Sequence, residues 1–482
     1  MAKLSILDTA FLALETEASP KHVAGLGIFE PVGKPPDLRG LIADMKSVPA
    51  EAPFNQKLDP SLVALPSWVE DPDIDLDWHV RHVALPKPGS MSDLMEFVSH
   101  VHSTLLDRSR PLWEFYLVEG LERGRFATYF KIHHAYMDGV TLSKRIVDTF
   151  NANSGDSAIV PIWGLKVEKR KITDEEQGLL VQLTENLRSA GVIAKALPQL
   201  GSLAVDHSLK ALGLRKDGLP VPFTAPRSQL NERLSPAREA GVAKLALARV
   251  KKVAKSAGVT VNDVLLSIVD GGLMAYLDSI GHSADEPLVA QMPISVRNDG
   301  AKSAGNQITI AQVELATGIR DPIARLQRIH EHATEVKEEY GRMSEWTAST
   351  YTVILQTIAQ IADLAGADRF MHPLGNIVIS NVIGEPETKY LAGAKAVGMY
   401  PISTIAPGLS ANITFYTCGG EVNIGMIAGR EAIGDAMFVT GSMVASFLEL
   451  ESALGLKPAA KRKSKKKRKK TTKKTAARKT SN

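Results

Sequence analysis

The chain has 482 residues, of which 44% are hydrophobic and 23% are charged, and this length is too great for one compact core. Two domains are therefore expected. The single cysteine, Cys418, excludes an internal disulfide and a cysteine-based zinc site and fits a reducing compartment. The first 14 residues lack the apolar core of a secretory signal, and the densest apolar stretch, 351–365, is interrupted by two glutamines and an aspartate. A cytoplasmic protein without a membrane span is expected.

Basic residues are concentrated at the C-terminus. Residues 461–482 hold 13 Lys and Arg and no acid, which leaves 44 basic residues against 53 acidic ones and a charge of about −9 in the remainder. Because this segment has no apolar residue larger than alanine, a disordered tail is predicted, with its boundary at 457. The charge run fits a solvated tail, a contact with anionic lipid headgroups or a contact with nucleic acid.

In the first half, residues 89–106 have the pattern of an amphipathic helix with a capping box of Ser90 and Asp93. Residues 115–118 and 126–132 are predicted to be buried strands joined by a turn. The segment that follows them, His-His-Ala-Tyr-Met-Asp-Gly, therefore lies where a strand ends and before another amphipathic helix.

Long helical stretches over 173–214 are predicted to form a linker between the domains. An intramolecular packing surface and a membrane anchor both remain open for its apolar face, which comprises Leu179, Leu180, Leu183 and Leu187. The predicted organisation is a first α/β domain at 1–165, the linker at 166–238, a second α/β domain at 239–456 and the tail at 457–482.

The second half again mixes strands with helices. Its predicted elements are a strand near 241, a helix that ends at Gly258, a helix over 262–277, a buried strand over 288–296, a helix that begins at Asp321 and Pro322, and a hairpin with Gly419 and Gly420 at its turn. The similar content of the two halves is compatible with one shared architecture.

The sequence lacks the signatures of several enzyme classes: the GxSxG of serine hydrolases, the GxxxxGK phosphate loop, a strand-linked GxGxxG and the HExxH of zincins. The histidine pair at the strand end is then the strongest chemical signal. A neutral imidazole, whose ordinary pKa is about 6.5, can accept a hydroxyl proton near neutral pH. Asp138 would brace the turn, and Gly139 would let the backbone bend tightly before the helix.

From the residues alone, His133, His134 and Asp138 fit structural polar groups, a metal site or a catalytic base. A metal site has no further support, and neither a metal nor a cofactor is expected. The other histidine pairs lie on a predicted strand and an amphipathic helix, and they are His79 with His82 and His330 with His332.

Several segments match one known family in the same order along the chain. They are Leu4-Ser5-x-x-Asp8-x-x-Phe11-Leu12, Pro111–Glu114, Gly120–Arg125, His133–Gly139, Val261–Val264, Pro293–Arg297, Gly305–Asn306 and Ser380–Val382. On these segments the sequence resembles the bacterial wax ester synthase and acyl-CoA:diacylglycerol acyltransferase family over nearly the whole body of the chain. It departs from the family where Ile383 and Glu385 replace common prolines, which affects the expected shape of that loop and not the chemistry.

The resemblance implies the fold of the coenzyme A-dependent acyltransferases: two similar α/β sandwich domains with the reaction centre in a channel between them. It implies a long-chain O-acyltransferase that takes its acyl group from acyl-CoA and esterifies a fatty alcohol or diacylglycerol. Carried onto this chain, His134 is the general base and Asp138 is mainly structural. Arg297 from the second domain is a partner for Asp138, and His133 has a supporting role.

Other residues of the matching motifs are expected to support the site. Asn262 is a candidate for oxyanion or substrate support, or else the N-cap of its helix. Trp113 and Glu114 are expected to buttress the catalytic turn, and Asn381 to line the channel. Cys418 lies in a predicted strand and is not expected to act as a nucleophile, so no acyl-enzyme is expected.

An enzyme that makes wax esters or triacylglycerol delivers its product to a membrane or a lipid inclusion. The basic tail is therefore expected to bind anionic lipid, to which each Lys or Arg adds about 1 kcal/mol, and nucleic acid is the less favoured partner. The expected location is the cytoplasm, with peripheral association at the inner membrane or at inclusions. Because apolar pockets discriminate single methylenes by only about 1–3 kcal/mol, broad acceptor use is expected.

Two other functions remain open. One is a condensation-type acyltransferase whose donor is bound to a carrier protein, which turnover with free acyl-CoA would count against. The other is a non-catalytic protein that binds lipid inclusions or nucleic acid and has kept the fold.

Overall fold

Two six-stranded sheets form the core of the protein, and each mixes parallel with antiparallel pairs. The computed structural model describes residues 2–3, 6–59, 67–137, 139–156, 159–165, 219–282, 286–295 and 308–456. The strands are β1 (Ala2–Lys3), β2 (His22–Pro31), β3 (Gln56–Leu58), β4 (Ser67–Glu70), β5 (Val80–Ala84), β6 (Trp113–Glu119), β7 (Phe126–His133), β8 (Arg238–Ala246), β9 (Val289–Ser295), β10 (Ile308–Glu314), β11 (Ile377–Ile383), β12 (Tyr390–Leu391), β13 (Ala394–Ile402), β14 (Ala411–Cys418) and β15 (Glu421–Gly429). The helices are α1 (Ile6–Leu14), α2 (Leu38–Ser47), α3 (Leu76–His79), α4 (Met91–Ser103), α5 (Gly139–Asp148), α6 (Leu247–Ala257), α7 (Val261–Ser279), α8 (Pro322–Arg342), α9 (Glu345–Ala365) and α10 (Ala436–Ala453).

The first sheet has the order β12-β13-β2-β7-β6-β5, and β5 and β6 are its parallel pair. Strand β7 lies near its middle, and all eight residues of that strand are buried. Phe130 and Ile132 pack on the side of α2 and α5, whereas Tyr129 packs on the side of α4. A strand covered on both faces reads as a continuous apolar run, which is why the sequence predicted it.

The second sheet has the order β10-β9-β11-β14-β15-β8, with β9, β11 and β14 parallel to one another. Helix α7 packs into its core beside α8 and α10. The capping box of Thr260 and Asp263 begins α7 and satisfies main-chain N–H groups that the helix leaves unpaired. The buried length of α7 therefore positions its first turn, which carries Asn262.

The two halves of the chain share elements. Strand β13 belongs to the second half by sequence but pairs with β2 of the first sheet, so the predicted domain 239–456 contributes to both sheets. Where β13 crosses β15, a Cβ atom at Gly425 would lie 1.8 Å from the carbonyl oxygen of Pro401. Only glycine permits this approach of two backbones. Main-chain N–H groups of β8 also donate to hydroxyls of α4, as Ala240 does to Ser99 at 2.9 Å.

Several predicted elements are confirmed. Helix α4 has the capping box of Ser90 and Asp93, α6 ends at Gly258 with a φ of +71°, and Asp321 caps α8 ahead of Pro322. The turn between β14 and β15 has positive φ at both Gly419 and Gly420, as the hairpin prediction required. The prediction that 262 begins a helix is wrong by one residue. The linker helices within 173–214 and the tail 457–482 lie outside the described residues.

No helix among the described residues is, by itself, long and apolar enough to cross a membrane. Helices α6 and α7 pass that test together, but they are bent by 100° where they meet. Most of α7 is buried in the second sheet's core, which is the ordinary position of an apolar helix in a folded domain.

Candidate active site

The end of β7 carries the histidine pair to the edge of the first sheet. His133 is the last residue of the strand and pairs with His22 of β2. The His133 N–H donates to the carbonyl oxygen of Leu112 at 2.9 Å, and the His134 N–H donates to that of Lys21 at 2.8 Å. The turn is therefore bonded to segments on both sides of it. Helix α5 begins at Gly139, so the predicted strand, turn and helix are confirmed.

The His133 ring is fully buried and has a defined tautomer. Its Nδ1 accepts the Ala135 main-chain N–H at 3.0 Å, so the ring proton is on Nε2. That Nε2 lies 3.4 Å from Oε1 of Glu15. The contact is electrostatic and not a well-formed hydrogen bond, because Nε2 lacks a hydrogen-bond partner of good geometry among the described residues. His133 thus contacts protein on both ring nitrogens.

The His134 ring is only half-buried, unlike that of its neighbour. The Phe11 ring of α1 stacks on it, with ring centroids 4.4 Å apart and planes 29° from parallel. A partly exposed imidazole with one face supported by an aromatic ring has a restricted orientation and can still meet a substrate.

The Glu15 carboxylate lies behind the turn, and the sequence analysis missed it. Its side chain is 2% exposed; Oε1 accepts the Lys21 N–H at 3.0 Å and Oε2 accepts the Arg108 guanidinium at 3.1 Å. Burial by itself would raise the pKa of Glu15, but His133, the Lys21 N–H and Arg108 together lower it to about 2. Residue 15 is 118 positions from the histidine it contacts, and no local pattern in the sequence signals that contact. The sequence marked Phe11 only as part of the N-terminal motif and did not predict its contact with His134.

Trp113 and Glu114 lie in the wall behind the turn. Trp113 is fully buried, donates its indole N–H to the carbonyl oxygen of Phe54 at 2.8 Å, and stacks between His79 and Trp163. Glu114 approaches the Lys131 ammonium at 3.3 Å. It also accepts the Tyr116 hydroxyl at 2.9 Å. These contacts fit a buttress for the strands on either side of the turn.

Asn262 and Asn381 come together from separate elements of the second half. The Asn381 amide donates to the Asn262 side-chain oxygen at 2.7 Å. Thr260, and not Asn262, is the N-cap of α7, so the alternative N-cap role for Asn262 is wrong. The next residue of β11, Val382, packs against a cluster that includes Val147 of α5. Because side chains alternate along a strand, Asn381 faces away from that cluster and toward the start of α7, where Asn262 lies.

The structure describes Gly139 of the turn but neither Asp138 nor its predicted partner. Asp138 and Arg297 lie outside the described residues, so their pairing stays a prediction. Gly139 does not have a positive φ, and a Cβ atom there would meet no described atom within 4 Å. The turn therefore does not use a left-handed backbone at 139, and the expected part of Gly139 in the bend stays a prediction.

Cys418 lies in β14 and is buried, and this burial raises the pKa of its thiol. A thiol held protonated in this way is a poor nucleophile. Within the described ranges, no group of three or more histidine, cysteine, aspartate or glutamate side chains is arranged to hold a metal ion.

Two family models match the chain: the wax ester synthase/diacylglycerol acyltransferase catalytic domain over residues 4–265, and the C-terminal domain of the same family over residues 304–451. The O-acyltransferase WSD of Acinetobacter baylyi is 35% identical over 439 residues, which cover 90% of this chain and 93% of the relative. A probable diacylglycerol O-acyltransferase of Mycobacterium tuberculosis H37Rv is 33% identical over 455 residues, which cover 93% of this chain and 98% of the relative.

Solved structures give the same result for the fold. The wax ester synthase/diacylglycerol acyltransferase from Marinobacter aquaeolei VT8 is 31% identical, covers 94% of this chain and 100% of its own, and has a TM-score of 0.74. The first condensation domain of the calcium-dependent antibiotic synthetase is 14% identical, covers 95% of this chain and 97% of its own, and has a TM-score of 0.54. The fold is thus of the two-domain α/β class that includes condensation domains.

Within that fold class, the sequence identity is 31–35% with the acyltransferases and 14% with the condensation domain. The chain belongs to the wax ester synthase/diacylglycerol acyltransferase family. The predicted family, fold class and O-acyltransferase activity are confirmed.

Proposed function

We propose that the protein transfers a long-chain acyl group from acyl-CoA to a fatty alcohol or a diacylglycerol, with His134 as the general base. The observation that carries the proposal is the half-buried His134 imidazole, presented at the end of β7 and supported by Phe11. The names of the relatives, which include an O-acyltransferase and diacylglycerol O-acyltransferases, support the substrate class.

The chemistry follows from placing an imidazole beside a thioester. His134 takes the proton of the acceptor hydroxyl, and the acceptor oxygen attacks the thioester carbonyl carbon. The tetrahedral oxyanion then collapses, the carbon–sulfur bond breaks, and the imidazolium returns its proton to the departing thiolate. The products are an ester and free coenzyme A. Direct transfer suits this chain because its one thiol, Cys418, is buried in a strand and has a raised pKa.

Peripheral association with a membrane or lipid inclusion is also part of the proposal, and α9 supports it. Among the side chains that the structure describes, the most exposed large ones on this helix are aliphatic: Val353 (50% exposed), Ile354 (44%), Ile358 (40%), Ile361 (61%) and Leu364 (57%). An apolar face of this kind suits contact with lipid. Asp363 of the same helix is near Lys21: burial lowers the pKa of Lys21, and the Asp363 carboxylate partly offsets this. The apolar face therefore belongs to a helix close to the segment that holds His134.

The proposal is tested by thiol release from palmitoyl-CoA with hexadecanol or diacylglycerol as acceptor. In His134→Ala we expect kcat to fall by about 10²–10⁴-fold, the usual contribution of a general base. His100→Ala is the matched control, because His100 is exposed on α4, and it should keep wild-type turnover. Acceptor-independent release, or a His134→Ala variant as active as the control, would contradict the proposal; activity restricted to carrier-bound donors would favour the condensation-type function.

A further inference from the structure

We infer that Glu15 is a positioning residue for the reaction, acting on His134 through His133 and the N-terminal segment 11–21. This rests on the proposed role of His134 as the base. The Glu15 carboxylate contacts three separate parts of the chain: the main chain at Lys21, the guanidinium of Arg108 and the imidazole of His133. It thereby joins the N-terminal segment to the strand that delivers the catalytic turn.

Glutamate is suited to this place because both of its oxygens face donors. Oε1 faces the Lys21 N–H and His133 Nε2, and Oε2 faces Arg108. A glutamine has one acceptor oxygen, so its amide N–H groups would point at one of these donors. Arg108 also donates to the carbonyl oxygen of Leu12 at 2.6 Å, which fixes the end of α1 next to the carboxylate.

The two constraints on His134 come from the segment that Glu15 anchors. Phe11, which stacks on the His134 ring, lies four residues before Glu15, about one helical turn away. The carbonyl that accepts the His134 N–H belongs to Lys21, the same residue whose N–H donates to Glu15. Loss of the carboxylate would therefore loosen both the ring and the main chain of His134.

Glu15 also selects one form of His133. With Nδ1 occupied by the Ala135 N–H, an anionic oxygen near Nε2 favours the tautomer protonated there. That form lets Nδ1 close the turn between the strand and the catalytic residue. Without the anion, the other tautomer becomes accessible, and the turn loses the hydrogen bond from Ala135.

The test compares Glu15→Gln with Glu17→Gln, a control at an exposed glutamate two residues away. We expect kcat of Glu15→Gln to fall by about 10²-fold, the cost of a small misplacement of a catalytic group, with KM for palmitoyl-CoA within about twofold of wild type. The tautomer of His133 is measured by nitrogen NMR of the histidine side chains, without substrate. The His133 signal is assigned by its loss in His133→Gln, and we expect that signal to change in Glu15→Gln. The control should change neither quantity.

A kcat within about twofold of wild type in folded Glu15→Gln, or an unchanged tautomer signal, would overturn the inference. If Glu15→Gln does not fold, Phe11→Leu is the deciding variant, because it keeps apolar volume and removes the ring stacking on His134. Its kcat should fall by up to about tenfold, and an unchanged kcat would overturn the inference. The tautomer measurement needs no substrate, so it tests Glu15 independently of the reaction. An active His134→Ala variant would refute the proposed general base and would leave the tautomer signal unchanged. The two failures are therefore distinguishable.

Discussion

Two buried carboxylates approach the end of β7, and each meets a basic side chain of that strand. Glu114 lies 3.3 Å from the Lys131 ammonium, and Glu15 lies 3.4 Å from the His133 imidazole. Positions 131 and 133 are on the same face of the strand, because side chains alternate along it. The two pairs are thus neighbours with similar chemistry.

The Glu114–Lys131 and Glu15–His133 contacts differ in the segments of the chain that they connect. Lys131 also donates to the carbonyl oxygens of Val101 and Thr104 at the end of α4, so the Glu114 pair joins a helix to the sheet. The Glu15 pair joins the sheet to the segment that contacts His134 on its ring and its main chain. The role of a buried carboxylate therefore depends on the segments that it connects: we expect a loss of stability when the Glu114 contact is removed and a loss of turnover when the Glu15 contact is removed.

The largest effect on stability is expected from Lys131→Met. This change removes the ammonium from the buried Glu114 carboxylate, and breaking such a pair typically costs about 3–5 kcal/mol of unfolding free energy. Because Glu114 keeps the Arg81 guanidinium at 3.6 Å and the Tyr116 hydroxyl at 2.9 Å, we expect the lower part of that range. Chemical denaturation measures the loss. The double variant Lys131→Met, Glu114→Gln should recover part of it. Turnover per folded molecule should stay within about twofold of wild type. A collapse of kcat in a stable Lys131→Met protein would show that the Glu114 contact also supports turnover.

A somewhat smaller effect is expected from acid. The pKa of Glu15 is lowered from 4.5 to about 2 in the folded protein, so its contribution to stability is present above pH 4.5 and is lost as the pH falls toward 2. A shift of this size corresponds to about 3 kcal/mol as an upper figure. The difference in unfolding free energy between wild type and Glu15→Gln should therefore shrink between pH 5 and pH 3, measured by urea denaturation.

The sequence predicted those elements of the fold that depend on residues close together in the chain. The strand before His133, the capping box of Ser90 and Asp93, and the hairpin at Gly419 and Gly420 each depend on neighbouring residues, and the structure has all three. The family motifs led to His134, whose position at a strand end the structure also shows.

Contacts between distant segments could not be predicted in this way. Glu15 meets His133 across 118 residues, and β13 joins the first sheet from the second half of the chain. The sequence pattern of β13 does not state which sheet it enters, because either sheet offers an apolar face and an open edge. The conformation of Gly139 could not be predicted either, because a glycine permits a positive φ but does not require one.

A further effect, on lipid association, is expected from the exposed aliphatic face of α9, whose Asp363 partly offsets the lowered pKa of Lys21. Ile361→Glu places a charge on the most exposed aliphatic position of α9, and we expect it to weaken association with phosphatidylglycerol vesicles by at least about tenfold, since burying an aliphatic side chain contributes about 1.5–3 kcal/mol. Vesicle co-sedimentation measures this. Val32→Glu is the control, because Val32 is 59% exposed on another part of the surface. Equal association of the two variants would remove α9 from the proposal and leave the basic tail to be tested by truncation at 461.

The smallest effect is expected at the hydrogen bond that joins β11 to the start of α7. The hydrogen bond from Asn381 to Asn262 is solvent-exposed, so its loss in Asn381→Ala should lower the unfolding free energy by no more than about 1 kcal/mol. If the pair supports substrate, kcat/KM should fall by about tenfold or more in both single variants, and the double variant Asn262→Ala, Asn381→Ala should lose little beyond either one, because coupled residues are not additive. Additive losses would mean that the two side chains act independently. Turnover equal to wild type in all three variants would mean that the asparagine pair does not orient the substrate. The positioning of His134 would then depend on Glu15 and its contacts, and the asparagine pair would be structural.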